Sequence, residues 1–195
     1  MAGSAEEILS NAAETLSVAR LGLADFLGPD PSRRLAGFKN AVVFGRAVTN
    51  VLEHLRGKVP AFDDWYKPRS AALGQDEGFA KLYKLRSQIL KEGSGAPSVS
   101  SAIEHLNPGE FALLMKSPPP GARGFFIGDA TGGSGWEVEL GSGEVERYYV
   151  AVPPSVGFSF SHKLGNEDAG ALLTRYLDAM RELIAEARKR FAGQR

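Results

Sequence analysis

The residue with the greatest chemical potential is Arg86, in the stretch Lys81-Leu82-Tyr83-Lys84-Leu85-Arg86-Ser87-Gln88-Ile89-Leu90-Lys91-Glu92-Gly93. Helical spacing puts it on an apolar stripe, between Phe79, Leu82 and Tyr83 on one side and Ile89 and Leu90 on the other. A guanidinium keeps its proton and is costly to bury unless it is paired and hydrogen-bonded. Arg86 is therefore expected to meet a carboxylate such as Glu53 or Asp178, line a cleft, or face a second subunit. Lys67, Arg69, Lys81, Lys84 and Lys91 outnumber nearby acids and offer a shallow basic face, the local patch that RNA binding would need.

The other candidates offer less. The three histidines, His54, His105 and His162, have no metal-binding spacing, and the chain has no cysteine. No cofactor and no metal site are expected. The glycine-rich stretch 128–136 invites a phosphate-loop reading, but it leads into a strand and lacks the Gly-Lys-Ser/Thr that opens a helix. It is expected to be a flexible turn between strands. Trp136 is placed among the binding candidates, because an exposed aromatic on a hairpin marks a contact surface. Asp129 with Glu137 or Glu139 is less a carboxylate pair than a turn residue beside the wet face of a strand.

The Arg86 stretch, carried by a helix of an antiparallel bundle, resembles the HEPN group (higher eukaryotes and prokaryotes nucleotide-binding). Many members of that group are metal-independent ribonucleases. Their signature is an arginine followed by a polar residue, then a histidine four to six positions after the arginine. Arg86 and Ser87 match the first two positions, whereas Lys91 stands where the histidine belongs. Lysine can stabilise a phosphate but does not exchange its proton near neutral pH as histidine does. The resemblance covers about residues 5–93 and 166–191, and with this departure it implies a non-catalytic binding protein. Arg86, Ser87 and Lys91 would then be features of a cleft or interface, met by a protein partner or a second copy. The rival is a metal-independent ribonuclease or RNA-binding protein in which Arg86 stabilises the phosphate. A third reading is small-ligand binding between hairpin and bundle.

Several elements must position these residues. Ser4-Ala5-Glu6-Glu7 has capping-box spacing, so a first helix is expected from about Ala5 to Gly28-Pro29. Asp30-Pro31 opens a second, running to about Arg56. Phe62 to Tyr66 predicts a short helical turn broken by Pro68, and a further helix spans about Asp76 to Glu92. From Ser94 to about Pro108 the composition predicts a loop, after which helical periodicity disappears. Phe125 to Ile127 suits a buried strand, residues 135–152 a β-hairpin, and Phe158 with Phe160 a third strand. Asn166 is the expected cap of the last helix, whose apolar face includes Leu172, Leu173, Tyr176, Leu177 and Met180.

The fold class that follows is mainly α: an antiparallel helical bundle with a β-hairpin or small antiparallel sheet inserted before the C-terminal helix. A single domain is expected over residues 1–195, with the bundle at 5–93 and 166–191 and the β-rich insertion at about 111–162. Twenty-three basic and twenty-three acidic side chains give zero formal net charge, so no whole-molecule field draws in nucleic acid or an anionic membrane. Glu6 and Glu7 occupy the place of a signal peptide's basic start, and no apolar run approaches the ~20 residues of a membrane span. These features and the missing cysteines place the chain in the cytoplasm.

Overall fold

The computed structural model describes residues 4–129, 132–152 and 156–193; for 101–106 and 156–160 it describes the backbone alone. The His105, Phe158 and Phe160 side chains, and Ala130 and Thr131 in the glycine-rich stretch, therefore lie outside the described set.

The first two helices begin as their capping residues dictate. In α1 (Ala5–Leu27) the Glu7 backbone N–H donates to Ser4 Oγ at 3.2 Å, and in α2 (Pro31–Glu53) the Ser32 N–H donates to Asp30 at 3.0 Å. The second helix ends three residues short of the expected Arg56. There the chain tightens into three-residue turns, Leu55 N–H to Leu52 O and Arg56 N–H to Glu53 O, leading to Gly57 at φ +81°. The two helices form a hairpin in which backbone meets backbone. A Cβ on Gly37 would lie 2.6 Å from Gly22 O and Phe26 N, and one on Gly22 would lie 2.7 Å from Ala41 N and Gly37 O.

Pro68 does not break its helix. The element α3 (Phe62–Gln75) runs straight through it. A mid-helix proline costs about 3 kcal/mol, but tertiary anchors on its N-terminal side outweigh that cost. Phe62 and Tyr66 stack at 5.0 Å, and Trp65 meets Phe191 edge-on at 5.3 Å, all of them buried. The Arg69 guanidinium also donates to the Trp65 carbonyl at 3.0 Å.

The helix carrying Arg86, α4 (Glu77–Glu92), is capped by Asp76, which accepts the Phe79 N–H at 3.1 Å, and is stopped by Gly93 at φ +65°. The last helix, α6 (Ala169–Phe191), is the hub of the bundle. Arg20 of α1 pairs with its Asp178 at 2.7 Å, Gly45 of α2 abuts Tyr176 and Leu177, and Arg69 of α3 pairs with its Glu186 at 2.6 Å. On α4, Phe79 packs edge-on against Tyr176 at 5.0 Å. The cap of α6 is Asp168, accepting Ala171 N–H at 2.8 Å, and not Asn166. Gly165, at φ +67°, sits at a turn after which Glu167 and Asp168 still pair as a strand, which postpones the helix by two residues.

Between α4 and α6 the chain forms two antiparallel three-stranded sheets. The expected hairpin is present as β3 (Gly135–Glu139) and β4 (Val145–Tyr149), with β2 (Ala122–Phe126) joining it through Phe125 opposite Trp136. Phe158 and Phe160 do not extend that sheet. They belong to β5 (Val156–Leu164), which pairs with β1 (Ser98–Leu106) and with β6 (Glu167–Asp168). The strand β1 occupies much of the expected loop, because Ser98-Val99-Ser100-Ser101 carries no apolar alternation to announce it. Residues Phe111 to Met115 are helical, in α5 (Pro108–Met115), where Asn107 accepts the Gly109 N–H at 3.0 Å and Pro108 opens the first turn. Among the described residues no helix is long and apolar enough to cross a membrane.

Candidate functional site

Arg86 is half-buried on the flank of α4, and its Nε is buried without a hydrogen-bond acceptor among the described residues. It makes no ion pair there. The expected partner Asp178 is taken by Arg20 at 2.7 Å and Arg181 at 3.4 Å, and Glu53 makes no ion pair with Arg86. Tyr83 and Leu90 sit three residues before and four after it on the same flank, each 54% exposed. Ser87 turns its hydroxyl back to the Tyr83 carbonyl at 3.5 Å. Lys91 is exposed in the last turn, where a positive charge complements the helix C-terminus.

Trp136 lies elsewhere. It is 6% exposed and packs edge-on against Phe125 at 5.1 Å, which in turn meets Phe111 at 5.8 Å, a small aromatic cluster of the insertion. The neighbouring glycine-rich turn is braced. The Asp129 carboxylate, only 3% exposed, accepts from the Tyr149 hydroxyl at 2.6 Å, the Gly133 N–H at 3.0 Å and Arg147 at 3.2 Å. Asp129 is thus a structural tie. Glu139 pairs with Arg123 at 2.5 Å.

The histidines whose side chains are described stand apart from Arg86. Helices α2 and α4 run antiparallel, with Lys39 Nζ donating to Gly93 O at 2.7 Å and the Arg46 guanidinium 4.9 Å above the Tyr83 ring. His54 caps the end of α2, two turns or about 12 Å along the axis beyond Arg46. His162 packs on Phe26 at 5.1 Å, beside a cavity of about 250 Å³ that also touches Arg34 and Asp168 at the junction of insertion and bundle. Among the described residues no three His, Asp or Glu side chains cluster to hold a metal.

Family models, curated proteins and solved structures offer no match to this chain. Its chemistry must be argued from its own side chains.

The helices enclose a second feature that the sequence does not announce. A cleft of about 340 Å³ lies among α2, α3, α4 and α6, with Tyr66, Phe79, Tyr83 and Tyr176 in its walls. Arg46 and Lys84 reach it, and no carboxylate lines it among the described residues. Arg46 donates to Thr49 Oγ1 and, at 2.9 Å, to Asn50 Oδ1, both neutral oxygens. Its position in the Val42–Val48 run of α2, on a helix otherwise apolar toward the core, is the one sequence signal that points here.

Burial pushes the Tyr176 hydroxyl up to about 12 and also raises Tyr66, so both phenols stay protonated donors at neutral pH. The folded state holds the Tyr176 proton where the unfolded chain, ionising near 10, releases it. Stability is therefore unaffected by this group below pH 10 and falls by about 1.4 kcal/mol per unit between pH 10 and 12. Urea unfolding at pH 8 and pH 11 should show a smaller alkaline loss for Tyr176→Phe than for the parent; equal losses would contradict the assignment.

Proposed function

We propose that this chain is a non-catalytic binding protein of HEPN-like type, acting in the cytoplasm, which docks a protein through the flank of α4 that bears Tyr83, Arg86 and Leu90. A second copy of the chain is the first candidate partner. The observation that carries this reading is the buried Nε of Arg86, which has no acceptor among the described residues. An unmet buried donor costs about 1–3 kcal/mol, and a partner carboxylate that meets the half-buried guanidinium from its open side offsets that cost. Tyr83 and Leu90 supply the aromatic and aliphatic contacts beside it, and aromatic residues with arginine are the side chains enriched at interface cores. Zero net charge adds no overall repulsion between two copies.

Sedimentation velocity over a concentration series tests the reading. The parent should associate and Arg86→Glu should remain monomeric. A parent that stays monomeric at every concentration, or a variant that associates as well, rejects self-association through this flank.

A second reading is RNA binding, with or without metal-independent cleavage. Its support is the run of cations Arg46, Lys84, Arg86 and Lys91, none of which makes an ion pair among the described residues. Arg86 would stabilise the phosphate and a histidine from elsewhere would supply the base. Incubation with RNA in the presence of a chelator, beside Arg86→Ala, separates the two readings. Cleavage by the parent and not by the variant favours the nuclease.

A further inference from the structure

The aromatic cleft adjoins the flank that carries Arg86 and shares Tyr83 with it, but the rest of its lining has a chemistry of its own. Its volume, about 340 Å³, falls within the roughly 300–1,000 Å³ of small-molecule sites. Those sites are mostly apolar with a few converging polar groups. Here the apolar part is aromatic: Phe79 and Tyr176 meet edge-on at 5.0 Å, and Tyr83 forms a lip that stays 54% exposed.

The polar part has one sign. Arg46 and Lys84 both line the cleft, and among the described residues neither makes an ion pair. Arg46 is already oriented, by Thr49, by Asn50 and by the Tyr83 ring beneath its guanidinium, yet each of these partners is neutral. Its charge is positioned, and no carboxylate pairs with it among the described residues. A carboxylate is the group that a planar guanidinium fork fits with two parallel hydrogen bonds.

The same features exclude other ligands. A cationic ligand would meet two positive charges and, among the described residues, no lining carboxylate. A polyphosphate is favoured by converging backbone N–H groups at a helix start, but the Phe79 N–H at the nearby start of α4 is occupied by the Asp76 carboxylate, whose charge also repels an anion there. Arg46 covers one face of Tyr83 and Arg175 one face of Phe79, and a purely aliphatic acid would forgo the ring contacts that the rest of this aromatic lining offers.

We propose that this cleft binds a small aromatic carboxylate, with its ring among Phe79, Tyr83 and Tyr176 and its carboxylate on Arg46, assisted by Lys84. All of these groups belong to one chain, and a partner seated over Tyr83 would compete with the ligand for the cleft mouth.

Calorimetric titration with 2-naphthoate, and with 2-naphthamide as its neutral isostere, tests the proposal. The carboxylate should bind at least tenfold more tightly than the amide. Arg46→Gln should remove most of that difference, Arg46→Lys should retain part of it, and Lys84→Gln should weaken the carboxylate alone. A melting curve for each variant reports whether it is folded; if Arg46→Gln is not, the amide comparison and the exposed Lys84→Gln still decide. Equal binding of carboxylate and amide, undetectable binding of naphthoate at millimolar concentration, or full affinity in a folded Arg46→Gln would each overturn it.

Discussion

Gly37→Ala is expected to destabilise the protein by about 3 kcal/mol or more, against the sign that helix propensity assigns. In an ordinary helix interior alanine is favoured over glycine by about 1 kcal/mol. At Gly37 the new methyl would stand 2.6 Å from Gly22 O and Phe26 N, both backbone atoms of α1. Neither is the tip of a flexible side chain, so the helices must separate. Separation loosens the hairpin that seats Phe26 against Phe38 at 5.2 Å, in a core where Phe38, Ala41 and Val42 are fully buried. For a domain of this size such a loss lowers Tm by roughly 6–12 °C. Gly74→Ala is the control: that glycine is exposed in α3, with nothing within 4 Å of an added Cβ, and alanine there should be neutral or slightly stabilising. Urea unfolding followed by circular dichroism checks both. A Gly37→Ala protein as stable as the parent would show that α1 and α2 do not approach as described.

These two glycines also mark where the sequence was legible and where it was not. The four long apolar stripes and the caps at Ser4 and Asp30 announce the bundle, because amphipathic period and capping chemistry are local properties. A glycine inside a helix carries only a cost in the sequence; its use, a close crossing with another glycine on a different helix, is a tertiary fact. Pro68 shows the same limit from the other side, since the aromatic anchors that keep α3 continuous lie partly on α6. Strand β1 is silent in the sequence for a third reason: a serine-rich segment has the composition of a loop until a partner strand supplies the ladder. The candidate site divides along the same line. Arg86 stands out because a charge on an apolar stripe is visible in one helix, whereas the cleft draws on four helices and only Arg46 breaks a local pattern.

Arg86→Met should have two effects of opposite sign. In the isolated chain it removes a buried Nε that has no acceptor among the described residues and replaces it with an apolar side chain that can fill the same groove. The monomer should gain about 1–2 kcal/mol, the range recovered when an unmet buried donor is eliminated. Loss of the guanidinium also removes the group that a docked partner would satisfy, and self-association should weaken by at least tenfold, about 1.4 kcal/mol. The stability measurement must be made on dilute, monomeric protein, because association itself stabilises the folded state by mass action. Denaturation of the dilute variant and sedimentation of the concentrated one then give independent answers. A gain in the first with a loss in the second is the signature of a residue kept for binding at the expense of the fold. A variant less stable than the parent, with association unchanged, would make Arg86 a structural residue of the bundle and remove the reason for placing the interface on α4.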